Sequence, residues 1–252
     1  MIKSKKLSKI MNLKHGFFNS NGGKSGNIYK SLNCGIGSKD KALNIKRNLK
    51  IVRKKIGKKT KEIFLINQIH SNKFIYIDKK FKKKTKPKVD AIITDQKCLP
   101  IGVLTADCAP ILICDDKMKM IAAIHAGWKG AYKDIINKVI KFMIKKGCSS
   151  KNMTAVVGPS ISVNNYEVKE DLKKKFIKKN KKNLKYFKIS KQKLYFDLSK
   201  YIYSSLKNNN IESIDVIKID TFDIKNKFFS ARRAISLNHN DYGRNISIIM
   251  LN

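Results

Sequence analysis

Two neighbouring stretches decide how this chain folds: Ile101-Gly102-Val103-Leu104-Thr105-Ala106-Asp107-Cys108-Ala109-Pro110-Ile111-Leu112-Ile113-Cys114 and Met120-Ile121-Ala122-Ala123-Ile124-His125-Ala126-Gly127-Trp128-Lys129-Gly130. Their apolar runs are short, rich in Ile and Val, and bounded by turn residues, so 101–106, 111–114 and 120–124 read as strands. Similar runs at 62–66, 74–77, 89–94, 153–157, 214–219 and 246–251 add strands. Helical spacing joins Ile45, Leu49, Val52 and Ile56, ending at Gly57, and joins Tyr132, Ile135, Ile136, Val139, Ile140 and Met143, ending at Gly147. Two more helices are expected over 168–179 and after an Asp197 cap. The sum is an α/β (α+β) chain around a largely buried central sheet. Its length fits one domain, residues 1–252. Residues 1–14 read as a flexible basic N-terminus, 15–40 as a glycine-rich loop, and the Lys-rich stretches 79–88 and 173–193 as exposed connections or solvated helix faces.

Among 252 residues, 56 are Lys or Arg and 18 Asp or Glu, a formal net charge of +38; 42% of the chain is apolar, which excludes a disordered polycation. The excess is mostly Lys spread along the whole length, with Ile and Asn also abundant. All three have AT-rich codons, and no RNA-binding or helix-turn-helix signature accompanies them. The charge is therefore assigned to a solvated exterior, with no specific nucleic-acid partner. Five cysteines without a CxxC pair make no disulfide framework. Residues 1–14 lack the apolar core of a signal peptide. The longest apolar candidate, 99–114, is broken by Pro100, Asp107 and Pro110, so no membrane span is expected. A cytoplasmic location follows.

The four histidines are His15, His70, His125 and His239. His70 closes the run Phe64-Leu65-Ile66-Asn67-Gln68-Ile69, His125 closes 120–124, and Cys108 follows 101–106. Three metal-capable or nucleophilic side chains thus each end a buried strand, where α/β proteins place reactive groups. Their spacing matches no zinc finger and no His-Glu-x-x-His helix. A hydrogen-bonded structural histidine and a merely apolar cysteine remain open readings at this level.

Taken in order, His15-Gly16-Phe17-Phe18, the segment 28–35, Asn67-Gln68-Ile69-His70, Val89-Asp90-Ala91-Ile92-Ile93-Thr94, Thr105-Ala106-Asp107-Cys108-Ala109-Pro110, His125-Ala126-Gly127-Trp128-Lys129-Gly130, Gly158-Pro159-Ser160-Ile161, Tyr166-Glu167-Val168 and Phe228-Phe229-Ser230-Ala231-Arg232-Arg233 with Gly243-Arg244 resemble the motifs of the YfiH-like family. That family has been described as laccase-like polyphenol oxidases, as purine nucleoside phosphorylases with adenosine deaminase activity, and in some bacteria as peptidoglycan editing factors. The resemblance implies one α/β domain with a central mixed sheet flanked by helices. It implies that His70, Cys108 and His125 bind one zinc, with copper as the other possible metal.

Two imidazoles and a thiolate leave a fourth position open, as in catalytic zinc sites. Asp107 is then a candidate proton shuttle or a carboxylate orienting an imidazole, with a turn-forming role equally open. Arg232, Arg233 and Arg244 are candidates for holding phosphate. Trp128 reads as packing the turn, and Cys34 is the one remaining thiol worth following. Ser20 and Asn21 stand where the family usually carries an Arg, Ser160 where it often has Cys or Ala, and Ala231 where Tyr is common. The implied activity is a zinc-dependent purine nucleoside phosphorylase and adenosine deaminase acting on purine nucleosides and phosphate, as a monomer or small homo-oligomer. The alternatives are a Cys108 nucleophile with a His base, removing an amino acid from a cell-wall precursor; a copper oxidase, disfavoured by only four histidines; and a basic nucleic-acid-binding protein.

Overall fold

The runs at 91–94, 109–115 and 120–126 are buried at every position, so each strand must pack on both faces of its sheet. The computed structural model describes residues 1–57, 60–81, 86–117 and 119–252; the expected connection at 79–88 is therefore described except for 82–85. Along the chain lie α1 (Lys5–Ser8), β1 (Leu13–Phe17), α2 (Ala42–Ile56), β2 (Phe74–Ile77), β3 (Ala91–Thr94), β4 (Ile101–Thr105), β5 (Ala109–Asp115), β6 (Met120–Ala126), α3 (Trp128–Tyr132) and α4 (Ile135–Lys145). They are followed by β7 (Met153–Val157), α5 (Glu170–Lys179), β8 (Phe187–Ser190), β9 (Lys193–Phe196), α6 (Leu198–Asn208), β10 (Ser213–Val216), α7 (Ala231–Ser236) and β11 (Asn245–Leu251).

The central sheet is mixed, in the order β10-β7-β5-β6-β3-β2: the β10–β7 and β2–β3 pairs are parallel, the pairs between them antiparallel. A second, antiparallel sheet runs β1-β11-β4. Side-chain alternation explains the layering. Ala91, Ile93, Ile111, Ile113, Ala122 and Ile124 face a cluster with Ile136, Val139, Ile140 and Met143 of α4 and Ile202 of α6. Their neighbours Ile92, Leu112, Ile121 and Ala123 face the small sheet through Phe17, Ile101, Val103 and Ile249. The other face of the small sheet, Leu104, Ile246, Ile248 and Met250, is covered by Val52 and Ile56 of α2. Each such Ile, Leu or Val buried is worth about 1.5–3 kcal/mol. The resulting order is helix, large sheet, small sheet, helix, and no helix of the described residues is long and apolar enough to cross a membrane.

Several local expectations are corrected. Residues 62–66 form no strand; Phe64 alone bridges to Ile101. The helix expected from Tyr132 is two, because Asp134 takes a left-handed conformation with φ 61° between α3 and α4. The Lys-rich 173–193 stretch is not merely solvated: it carries Phe176 and Tyr186 into an aromatic cluster with Phe196 and Tyr201.

The basic N-terminus is fixed rather than loose. Ser4 caps α1 by accepting from Lys6 N and Leu7 N, and its hydroxyl donates to Asp215 at 2.6 Å. Ser4 N donates to His15 Nε2 at 2.9 Å, and Leu7 is fully buried. An accepting Nε2 requires a neutral ring. Burial and the nearby Lys3 hold His15 at about 4, in the neutral form that the bond from Ser4 N requires. The folded value lies below the unfolded ~6.5, so this contribution is complete above pH 6.5 and is lost as pH falls towards 4, at about 1.4 kcal/mol per pH unit. Urea unfolding at pH 7 and pH 4.5 should show the His15→Gln chain losing about 2–3 kcal/mol less than the unaltered chain over that interval. Equal losses would remove His15 from the account.

Candidate metal centre

Three segments meet at one end of the central sheet. His125 is the penultimate residue of β6 and sits opposite Pro110 of β5. Cys108 occupies the turn between β4 and β5, preceded by Asp107 at φ 90°. His70 follows the Asn67–Lys88 bridge, itself at φ 56°. The loop carrying His70 is tied to β4 by Gln68, whose side-chain amide donates to Leu104 O at 2.8 Å and accepts from Leu104 N at 2.7 Å. The potential ligand atoms of His70, Cys108 and His125 all lie within 4.8 Å of one another. The two imidazoles meet edge to face, ring centres 4.8 Å apart.

Asp90, at the entrance to β3 and fully buried, organises this cluster. Its Oδ1 accepts from His70 N at 2.9 Å and bonds His125 Nδ1 at 2.8 Å. Its Oδ2 accepts from Ser71 N at 2.6 Å and Ser71 Oγ at 2.7 Å. One carboxylate therefore shapes the turn bearing one histidine and orients the ring of the other, leaving His125 Nε2 for the cluster. Burial alone would raise Asp90, but His125 and Ser71 outweigh it and hold it at about 2. Around Cys108, burial opposes ionisation, yet the charges of and hydrogen bonds from His125 and His70 prevail and favour the thiolate. His125 is correspondingly held towards its protonated form, against its burial, by Cys108 and Asp90.

The other sequence-selected residues divide. Asp107 does not orient an imidazole. Its carboxylate accepts from Thr221 Oγ1 at 2.7 Å, Ser230 Oγ at 2.9 Å and Arg232 N at 2.7 Å, so it ties the start of α7 to the turn that bears Cys108. Burial drives its pKa above the usual carboxylate range against those three donors. Arg233 is spent on the carbonyls of Thr221, Phe222 and Phe228, which leaves it a structural cation rather than an anion ligand. Arg244 donates to Tyr242 O and lies 3.5 Å from Asp241, with its stem against Gly35. Arg232 remains part-exposed, with one guanidinium N–H on Glu167 O at 2.9 Å and its plane 5.6 Å from the Tyr166 ring. Burial, and to a lesser degree the negative charge of a Cys108 thiolate, hold the Tyr166 phenol above its usual range. Cys34 is fully buried, and burial pushes its thiol far above the usual range, so it is inert. His15 is held at the N-terminus, and His239 is not one of the three clustered donors.

A sequence model of the family described as multi-copper polyphenol oxidoreductase laccase matches residues 14–252. The chain belongs to this YfiH-like family. A purine nucleoside phosphorylase of Rickettsia prowazekii is 35% identical over 70% of this chain and 72% of its own, and one of Bacteroides thetaiotaomicron is 30% identical over 92% and 91%. The crystal structure of the Bacillus licheniformis hypothetical protein YfiH superposes with a TM-score of 0.87 at 26% identity, covering 97% of this chain and 95% of that one. As in that YfiH structure, the architecture is a mixed central sheet flanked by helices. What the residue-level reading of this YfiH-like chain missed is the roles of Asp90 and Gly127. An acid abutting a buried apolar strand, in a chain with only 18 acidic residues, was the available signal for Asp90. Gly127 had none, because its importance is the nearness of Cys108.

Proposed function

We propose that this YfiH-like chain is a zinc-dependent, cytoplasmic purine nucleoside phosphorylase that also deaminates adenosine. The observation that carries the reading is the donor set of His70, Cys108 and His125, gathered within 4.8 Å and braced by Asp90. Two imidazoles and a thiolate match the ligand preferences of zinc and leave one position open; copper is the less suited ion, since four histidines, with His15 committed elsewhere, supply no multicopper centre. A zinc ion held there would act as a Lewis acid and make a neutral-pH water nucleophile available for displacing ammonia from adenine.

The chain's own residues account for the rest. His70 is exposed and lies on the solvent side of the site, where a nucleoside enters. In phosphorolysis a phosphate oxygen bonds to C1′ of the ribose, the bond from C1′ to the purine nitrogen breaks, and the purine takes up a proton. Arg232 would hold phosphate: Asp107 and Glu167 anchor its backbone and one N–H, and among the described residues its other guanidinium donors have no hydrogen-bond partner. Arg244 is engaged by Asp241 and Tyr242 O and is not such a free cation, and Arg233 is the support that fixes the loop beneath. Tyr166 offers its ring face to the Arg232 guanidinium.

Adenosine incubated with phosphate should give adenine and ribose 1-phosphate, and adenosine alone should give inosine. The reading fails if neither product exceeds that of a folded Cys108→Ala chain. One observation favours a second reading: His125 bonded to Asp90 beside a Cys108 thiolate has the order of a nucleophile, base and orienting acid. A metal-free protein rapidly inactivated by iodoacetamide would support that hydrolase, and one zinc per chain would exclude it.

A further inference from the structure

A cleft of about 640 Å³ opens between α2 and the segment leading into residues 62–65, lined by residues for which neither the metal centre nor the family comparison has a use. Its α2 wall carries two parallel stripes. Ala42, Ile45 and Leu49 form an apolar one, and Lys46, Lys50 and Arg53 a cationic one beside it. The three cations recur at one-turn intervals, about 6 Å and then about 4.5 Å apart along the axis. Ile63 and Leu65 supply the opposite apolar wall. Among the described residues none of the three cations makes an ion pair or a side-chain hydrogen bond. Two acids also line the cleft. Asp40 is turned towards Ser25 Oγ at 2.6 Å and Asn33 Nδ2 at 3.0 Å, and Glu62 stands at the opposite wall.

We propose that this cleft binds single-stranded nucleic acid, the phosphates running along Lys46, Lys50 and Arg53 and the base faces resting on the aliphatic floor. The argument is charge complementarity together with shape. A solvated lysine face needs no groove, and a small anion needs one or two donors, whereas three unpaired cations in a row beside an apolar channel match a ligand that repeats anion and apolar face at short intervals. A duplex hides its base faces and presents only phosphate to such a cleft. A second copy of this chain is the poorer match, because it would bring the same +38 against the cationic stripe.

The experiment must separate a built site from diffuse charge. A fluorescein-labelled oligothymidylate of about 12 nucleotides is titrated by anisotropy at several salt concentrations. The triple variant Lys46→Gln, Lys50→Gln, Arg53→Gln is compared with Lys138→Gln, Lys141→Gln, Lys145→Gln, three exposed cations at similar helical spacing on α4, where no cleft lies. The α2 triple should bind about tenfold or more weakly, with a slope of log K against log salt shallower by about 2, and the α4 triple should change by about twofold or less. Ala42→Glu, exposed at the first helical position where an acid is tolerated, should weaken binding through the channel floor without lowering Tm. Equal losses from both triples, or no loss from either, overturn the proposal in favour of net charge alone. Linear polyphosphate or duplex of the same length binding as tightly as the single strand overturns the assignment of ligand class. Far-UV circular dichroism and Tm of each variant serve as the fold control.

Discussion

Replacing Gly127 by alanine is expected to leave the chain folded and to abolish the zinc binding proposed for the cluster. Gly127 has φ −77° and ψ 172°, a conformation any L-residue adopts, so the substitution brings no backbone strain. The added methyl, however, would stand 2.7 Å from Cys108 Sγ and 3.4 Å from His70 Cδ2. The first distance is inside van der Waals contact. Cys108 must swing away, and the cluster loses its thiolate. Zinc affinity should fall by about 100-fold or more, since even the loss of a residue supporting a ligand costs 10- to 100-fold. Both phosphorolysis and deamination should fall with it. Zinc content after dialysis against a graded chelator series, read beside circular dichroism, checks this. A Gly127→Ala chain that keeps one zinc and full turnover would show that the three donors do not act as one site.

The second large effect concerns Asp90. Asp90→Asn keeps the shape but exchanges one acceptor oxygen for an NH2 group that must face His125, His70 N or the Ser71 donors. Donor then meets donor at a fully buried position. Removing one partner of such a buried network should cost about 3 kcal/mol, roughly 10 °C in Tm for a chain of this length. It should also weaken zinc by about 10- to 100-fold, because the His125 ring loses its orienting partner and the His70 turn loses its anchor. Differential scanning calorimetry with and without added zinc separates the two parts: excess zinc should recover some of the lost Tm in the variant. If Asp90→Asn matches the unaltered chain in both Tm and zinc content, Asp90 does not organise the site.

The apolar runs at 91–94, 109–115 and 120–126 could be read directly, since burial on both faces confines polar residues to the strand ends and the pattern is local. Cys108 and His125 were legible for the same reason, as polar residues at the edge of such runs. β1 was hidden in the segment taken as a basic tail and loop, and β8 and β9 among lysines, because their burial comes from partners far along the chain. The Asp134 break in the helix after His125 was hidden as well, because apolar spacing carries straight across a single left-handed residue.

Residue chemistry alone thus determined an α/β chain with a buried sheet and the three side chains able to share a metal, since donor type and strand periodicity are properties of single residues and their neighbours. The tertiary structure decided which acid serves the site. Asp107, adjacent to Cys108 in sequence, points to Thr221, Ser230 and Arg232, while Asp90, 35 residues before His125, reaches its ring. It also decided which arginine is free and why residue 127 is glycine. Those outcomes depend on distances between segments remote in sequence, and only the packing of two sheets brings the segments together.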